Sequence, residues 1–324
     1  MLNQTDLNLF KQNGYLVIKP EKILSNKIIL ELKDTCNNIF PKSTDRNTLF
    51  TQNSFIFNNA SYFKNTSKNN ANKLFGFRAT AQGWNVSKGL AKYIENNKLL
   101  SCAKQILDTN TLSLHTSALI KVYPGCDGEP NKLHVDTSGF VDDTLNFAKN
   151  NNFVLNTLIY LNDVTKGLAP MRVCPKSHLD FIKINEYFNK LNNTKKFTNN
   201  MHAAGIGIDE NIVKELGYKI KNIYGKAGTI IFMSGNLLHS ATKNETKKSR
   251  IHFNFNFSRR DVKEIRKLNF KGLVRDQKDY KNFSNQFNDK KIINRSYNNT
   301  LANNLLNFFY KYKFKIKNRL INTL

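Results

Sequence analysis

Polar and apolar residues alternate without a break from Arg250 to Phe257. A period of two is typical of a β-strand that packs one face on the protein core. We therefore predict a half-buried strand here, with its polar face outside the core. The polar face carries Arg250, His252, Asn254 and Asn256, and the apolar face carries Ile251, Phe253, Phe255 and Phe257.

Other apolar runs predict the rest of a sheet structure. The run from Leu114 to Tyr123 ends at a Pro-Gly pair, which terminates strands. Residues 228–233 have the composition of a buried strand, and a turn at 234–236 leads into the next strand at 237–239. Strands dominate 112–178 and 228–258. This pattern predicts a mainly β fold with a double-stranded β-helix, or jelly-roll, core.

Helical spacing is found outside these two strand-rich regions. A short strand at 15–18 precedes an amphipathic helix from about 24 to 40, and 90–107 is also helical in spacing. We expect these N-terminal helices to flank the jelly roll. Residues 179–222 form an insertion with helical segments, whose place in the chain suits a lid over the barrel mouth.

These patterns predict one domain at 1–275, which includes the insertion, and a C-terminal extension at 276–324. The chain carries a formal net charge of +26. Lysine supplies most of this charge, and asparagine, isoleucine and phenylalanine are also abundant, as an AT-rich genome would produce by codon bias. The charge therefore gives little support for a nucleic-acid partner.

The extension is basic and aromatic, and residues 296–324 contain no acidic side chain. Residues 301–324 interleave aromatic and aliphatic groups with lysines. Such a segment can lie on an anionic membrane surface, with its ammonium groups among the lipid head groups. It can equally pack on the barrel as an edge element with solvated lysines. The sequence leaves both interpretations open.

The cysteines and the N-terminus favour a cytoplasmic protein. The four cysteines show no CxxC motif and no framework spacing, which predicts reduced thiols. The first residues lack the features of a signal peptide, and no apolar stretch is long enough to span a bilayer. We expect a cytoplasmic location, with peripheral contact at the inner membrane surface if the extension binds lipid.

Candidate chemistry is concentrated in two histidines, an aspartate and an arginine. His134 and Asp136 are two residues apart, so in a strand both side chains point to the same side. His239 follows the predicted tight turn, where it can complete a set of two imidazoles and one carboxylate. This set suits Fe(II) and leaves coordination positions open. Arg250 offers a planar fork that matches a carboxylate.

Each of these residues also has an ordinary structural interpretation. The His134–Asp136 pair can be a surface feature, His239 a core histidine, and Arg250 a partner in a strand-end salt bridge. His178, in Pro-Lys-Ser-His, is interpreted as a loop brace. By parity, Lys121 and Tyr123 share a polar face of the preceding strand, and we predict that either contacts the same ligand as Arg250, for which the dicarboxylate 2-oxoglutarate is the candidate. His252 shares the face of Arg250.

The ordered set of motifs resembles the phytanoyl-CoA dioxygenase-like family of Fe(II)/2-oxoglutarate-dependent oxygenases. The pieces run in the family's order over roughly residues 5–258. One departure concerns the position two after the distal histidine, where a small hydroxyl residue is common and this chain has Ala241. The matching pieces are Phe10–Ile18, His134–Thr137, Tyr160–Asp163 with Gly167-Leu168, Pro175–His178, His239, Asn244 and Arg250.

The resemblance implies the cofactors and the reaction class. Fe(II) would be held by His134, Asp136 and His239 as the catalytic centre, 2-oxoglutarate by Arg250, and O2 would be the oxidant. Halogenating relatives lack the carboxylate, so Asp136 favours hydroxylation.

We therefore expect hydroxylation of an unactivated C–H bond in a small or a lipid- or sugar-linked metabolite, with release of succinate and CO2. The alternative is a non-catalytic jelly-roll protein whose basic tail binds an anionic membrane or nucleic acid.

Overall fold

Two antiparallel sheets form the framework of the protein. The computed structural model describes residues 1–39, 78–82, 93, 96–125, 133–136, 153–180, 183–184 and 209–259. The helices are α1 (Gln4–Asn13), α2 (Asn26–Ile39), α3 (Asn97–Leu107) and α4 (Glu210–Glu215), with a 3-10 turn at Ser177–Asp180. The strands are β1 (Tyr15–Ile18), β2 (Arg78–Gln82), β3 (Leu112–Val122), β4 (Val154–Tyr160), β5 (Met171–Val173), β6 (Lys221–Ile223), β7 (Ile230–Ser234), β8 (His239–Ala241) and β9 (Arg250–Arg259).

The large sheet has the strand order β1-β7-β4-β9-β3-β2, and the small sheet has the order β6-β5-β8. Every pairing is antiparallel. Neighbouring strands are mostly distant in sequence, because the chain crosses repeatedly between the two sheets. This arrangement confirms the predicted mainly β class and fits the predicted jelly roll.

The outer face of the large sheet packs against the N-terminal helices. Phe253 and Phe255 of β9 are fully buried there, in one cluster with Phe10 of α1, Leu32 of α2 and Leu99 of α3. The amphipathic spacing of α2 and α3 produces this layer, since each helix presents one apolar stripe to the sheet. The prediction that N-terminal helices flank the core is confirmed.

The inner face of the large sheet packs on the small sheet. Leu158 and Tyr160 of β4 and Ile231 of β7 form a second cluster with Met171 and Val173 of β5. This inter-sheet space is the interior of the jelly roll. Residues that alternate with the outer cluster along β4 and β9 therefore face this interior.

The strand β9 corrects our prediction of a half-buried strand. It extends to Arg259 and is buried along almost its whole length, on its polar face as well as its phenylalanine face. The small sheet covers the polar face. A row of polar side chains is thus enclosed in the jelly roll, where buried polar groups are usually hydrogen-bonded or functional.

The end of α1 packs closely against two turns at Gly14. Asn3 and Asp6 form a reciprocal capping box at the start of α1, and Gly14 ends the helix with φ of 77°. A Cβ on Gly14 would lie 2.5 Å from His178 Nδ1 and 2.8 Å from Leu237 Cδ1. Only glycine fits this position, so α1, the 3-10 turn and the β7–β8 turn meet there.

The predicted insertion at 179–222 is described at its two ends. Its returning end contains α4, whose Val213 packs with Leu133, Cys174 and Leu238 on the outer face of the small sheet. Arg172 of β5 donates hydrogen bonds to Glu210 of α4 and to Ser240 Oγ. The central part lies outside the described residues, as do the segments 41–75 and 276–324. The lid and the domain boundaries therefore stay predictions.

Across the part of the chain that the structure describes, no helix has the length and apolar character needed to cross a membrane.

Candidate metal centre

Successive side chains of the segment from Leu133 to Asp136 point to opposite sides. Leu133 and Val135 are fully buried in the cluster behind the small sheet. His134 and Asp136 alternate with them and face the jelly-roll interior. Two backbone hydrogen bonds of 3.0 Å pair His134 with His239 of β8. The predicted HxD geometry is thus produced by a short antiparallel bridge instead of a long strand.

Three potential ligands converge where this bridge forms. One donor atom each from His134, Asp136 and His239 lie within 4.8 Å of one another. His134 Nε2 is 3.4 Å from Asp136 Oδ1, and His239 Nε2 is 3.7 Å from Asp136 Oδ2. Both histidines are only 2% exposed. The three residues that the sequence predicted as ligands are therefore brought together in the interior.

A backbone contact sets the ring orientation of His239. Its Nδ1 lies 2.9 Å from the carbonyl oxygen of Leu237. A carbonyl can only accept, so Nδ1 carries the proton and Nε2 keeps its lone pair toward the cluster. Metal-binding histidines usually have such a second contact, which fixes the tautomer and the ring.

The Asp136 carboxylate is held in its ionised form. Burial tends to raise its pKa, but the His239 imidazole, the hydrogen bond and charge of His134, and a hydrogen bond from Asn156 together lower it below the ordinary range. Asn156 Nδ2 donates to Asp136 Oδ2 at 2.5 Å. A carboxylate oxygen and two imidazole nitrogens fit a mononuclear divalent iron.

Arg250 starts β9 on the same interior face. The guanidinium is 1% exposed and donates from Nη1 to the carbonyl of Ala169. Asn244 Nδ2 donates to the carbonyls of Val122 and Lys248, which braces the loop that leads into Arg250.

Tyr160 lies near the guanidinium of Arg250. Its hydroxyl donates to the carbonyl of Ile223 at 2.9 Å and accepts from the amide of Met171 at 3.1 Å. Burial raises the pKa of Tyr160 to about 12, against an opposing effect of Arg250. The phenol is therefore neutral at physiological pH, and Arg250 supplies positive charge at this end of the interior.

The structure does not bring Lys121 to the metal cluster. Lys121 pairs with Ile251 in the β3–β9 register, whereas Val122 pairs with Arg250. The shared face of Lys121 and Tyr123 is therefore the helix side of the large sheet. Burial lowers the pKa of Lys121, and Cys36 of α2 opposes this effect. Tyr123, 5.1 Å below the Lys121 ammonium, belongs to the same outer cluster. This placement gives no support to a cosubstrate contact by either residue.

Two further histidines take distinct places. His178 Nε2 lies 3.0 Å from the carbonyl oxygen of Lys11, so it braces α1, in keeping with the predicted structural role. His252 is buried opposite Tyr160, on the interior face that it shares with Arg250. Asn156 was missed by the sequence reasoning. Its only signal is a single amide in an otherwise buried, mostly apolar strand.

Comparison with known proteins identifies the family. The model of the phytanoyl-CoA dioxygenase (PhyH) family matches residues 10–252. The chain belongs to this family. Membership confirms the predicted class, an oxidoreductase of the iron- and 2-oxoglutarate-dependent dioxygenases, and the His-Asp-His cluster could hold the metal ion. A comparison with curated protein sequences returns no match.

Solved structures share the fold at low sequence identity. The non-heme alpha ketoglutarate dependent carbocyclase SnoK from nogalamycin biosynthesis is 13% identical, covers 80% of this chain and 84% of its own, and has a TM-score of 0.51. The epimerase SnoN, in complex with Fe3+, alpha ketoglutarate and nogalamycin RO, is 15% identical over 79% of this chain and 83% of its own, with a TM-score of 0.51. EctD from S. alaskensis, with 2-oxoglutarate and 5-hydroxyectoine, is 18% identical over 80% of this chain and 76% of its own, also with a TM-score of 0.51.

Proposed function

We propose that this PhyH-family oxygenase hydroxylates an unactivated C–H bond of a small or a lipid- or sugar-linked metabolite. The observation that carries the proposal is the convergence of His134, Asp136 and His239 in the jelly-roll interior. In this proposal the three side chains hold Fe(II) and leave positions free for the cosubstrate and O2.

Bound iron, with 2-oxoglutarate and O2, supplies the oxidising chemistry, and the cosubstrate leaves as succinate and CO2. The protein contributes geometry and a dry site. His239 is fixed by Leu237, and Asp136 is fixed by Asn156. The apolar residues of the inter-sheet cluster keep bulk water from the interior.

Arg250 is the proposed anchor for the far carboxylate of 2-oxoglutarate. Arg250 and the three candidate metal ligands face the same interior. Val173 is the register partner of His239, and it packs in the inter-sheet space that Arg250 also faces. A buried guanidinium favours an anionic partner, and its fork matches a carboxylate. With Ala241 at the usual hydroxyl position, this chain relies more heavily on Arg250.

Asp136 supports hydroxylation over halogenation. A carboxylate in the ligand set takes the position that a halide would need, and the lowered pKa of Asp136 keeps it available as a ligand. The relatives of similar fold include a carbocyclase and an epimerase. The reaction outcome is therefore proposed from the ligand set and not from the fold.

Succinate production tests the proposal. Purified protein would be loaded with Fe(II) and 2-oxoglutarate without oxygen and then exposed to O2. We expect succinate and CO2 in equal amounts, no turnover with Zn(II), and no turnover in Asp136→Ala. The non-catalytic alternative predicts no succinate above that of free Fe(II). Equal turnover by wild type and Asp136→Ala would also overturn the proposal.

A further inference from the structure

Four asparagines form a polar cluster inside the otherwise apolar jelly roll. Asn156, Asn236 and Asn256 are 2%, 1% and 5% exposed, and Asn254 is partly buried. Among the described residues, no hydrogen-bond partner is found for Oδ1 of any of the four, nor for Nδ2 of Asn236. Buried amides without partners are uncommon in folded proteins and call for an explanation. We name these four residues the amide cluster.

One member of the amide cluster contacts the proposed metal ligand Asp136, and two others are adjacent to residues that contact it. Asn156 donates to the carboxylate through Nδ2, which fixes its amide orientation and leaves Oδ1 as an acceptor. Asn256 is the direct register partner of Asn156 across β4 and β9. Asn236 follows Gly235, whose carbonyl accepts from the amide of Asp136 at 3.0 Å. The cluster therefore borders the proposed iron.

The cosubstrate anchor lies in the opposite direction. Arg250 and Asn256 share the interior face of β9, six residues or about 20 Å apart at the ordinary rise of a strand. If 2-oxoglutarate extends from the iron toward Arg250, as the proposed function requires, Asn256 lies at the other side of the metal. That side is left for the primary substrate.

Apolar side chains lie next to the amides on the same interior face. Leu158 is the register partner of Asn254 and Met233 is the register partner of Asn156, and both belong to the apolar inter-sheet cluster. An apolar substrate would be served by more residues of that kind. Amides instead offer donors and acceptors without net charge, which complements hydroxyl and amide groups.

We propose that the amide cluster recognises the primary substrate, and that this substrate presents uncharged hydroxyl or amide groups beside the oxidised carbon. This inference rests on the proposed function and names its substrate class. A site built to hydrogen-bond a ligand rejects analogues that lack the bonding group, because its buried polar atoms would then stay unpaired. A polyhydroxylated or amide-bearing metabolite is therefore accepted, and a plain acyl chain is rejected.

Stimulated succinate release with two compound panels tests the substrate class. One panel contains methyl glycosides, polyols and N-acetylated amino acid amides, and the other contains straight-chain alkanoates and acyl thioesters. We expect stimulation by a member of the polar panel. Stimulation by the alkyl panel alone overturns the inference, and so does a lack of stimulation by every polar compound.

The variants Asn256→Leu and Asn236→Leu test the residues. We expect the KM for the stimulating compound to rise at least tenfold in each variant. The KM for 2-oxoglutarate and the melting temperature should stay unchanged, because the side-chain Oδ1 atom of neither asparagine has a hydrogen-bond partner in the described protein. Thr157→Val, on the opposite face of β4, is the matched control and should change neither KM. Unchanged stimulation in both leucine variants overturns the role, whether or not they are less stable. Failure of the proposed function is distinguishable, because the protein would then bind no Fe(II)–2-oxoglutarate chelate at all.

Discussion

Asn156 links the metal cluster to a core strand through one hydrogen bond to Asp136. Loss of such a supporting contact typically lowers metal affinity by about 10–100-fold, because the ligand is no longer held in its binding orientation. We therefore expect Asn156→Leu to bind Co(II), as an oxygen-stable substitute for Fe(II), that much more weakly in a calorimetric titration. Thr157→Val, the neighbouring buried polar residue on the outer face, is the control. Equal affinities in Asn156→Leu and wild type would show that Asp136 needs no such support.

Arg250 and Arg172 are two buried arginines with different predicted roles. Arg250→Lys keeps the charge but loses the planar fork, so binding of 2-oxoglutarate should weaken by about 1–3 kcal/mol. Arg172 lies on the outer face of the small sheet and bonds Glu210 and Ser240. Arg172→Lys should therefore keep the affinity for 2-oxoglutarate. Isothermal titration calorimetry of the Fe(II)-loaded variants measures both affinities for 2-oxoglutarate. The proposed role of Arg250 is wrong if the two substitutions change the affinity equally.

At the residue scale, local spacing together with the order of the motifs singled out His134, Asp136 and His239, which the structure brings together, and Arg250, whose role stays a prediction. Their positions follow from strand parity and a tight turn, which a sequence shows directly. Asn156 could not be predicted, because its contact with Asp136 depends on the register between distant segments. For Lys121, parity correctly grouped it with Tyr123, but only the β3–β9 register shows that this face meets the helices.

The strand β9 carries two functions on its two faces. Its phenylalanines join the sheet to the helices, and Phe255 is fully buried with ring centroids 5.2 Å from Phe253 and 5.3 Å from Phe257. Phe255→Ala should lower the free energy of unfolding by about 3–5 kcal/mol, since it leaves a cavity in this cluster. Urea denaturation measures the loss, with Val17→Ala on the exposed edge strand as the control. A loss below about 1 kcal/mol would mean that the outer cluster contributes little there.

At the element scale, alternation predicted β9 and its neighbours but not the burial of its polar face. Alternation distinguishes the two faces of a strand and cannot show what covers each face. The cover here is the small sheet, whose three strands are only three residues long and lack a clear pattern of their own. The amphipathic helices α2 and α3 could be predicted from the sequence, because their apolar residues are regularly spaced. The helical spacing over 90–107 is confirmed for α3, which begins at Asn97 after an Asn96 cap, whereas residues 90–92 and 94–95 lie outside the described part of the chain.

At the scale of the whole molecule, two sheets enclose the metal centre and helices cover one side. The basic extension at 276–324 lies outside the described residues, so its two interpretations are distinguished by experiment. We expect removal of 301–324 to leave uncoupled 2-oxoglutarate turnover intact and to weaken sedimentation with anionic liposomes. Each basic residue near such a surface contributes about 1 kcal/mol, screened by salt.

Zwitterionic liposomes are the control for that experiment. Full-length protein that ignores anionic liposomes at low salt would contradict the membrane interpretation. A truncated protein that no longer folds would contradict it too, because an edge element that supports the barrel is then the better account of the extension.

The central claim is that His134, Asp136 and His239 hold an iron that chelates 2-oxoglutarate. Anaerobic addition of Fe(II) and 2-oxoglutarate should produce a weak metal-to-ligand absorption band in the green region of the spectrum. The band should be absent in Asp136→Ala and His239→Ala and present in His178→Gln, which alters a buried histidine outside the cluster. A band of equal strength in the two ligand variants, or none in the wild-type protein, would contradict the account.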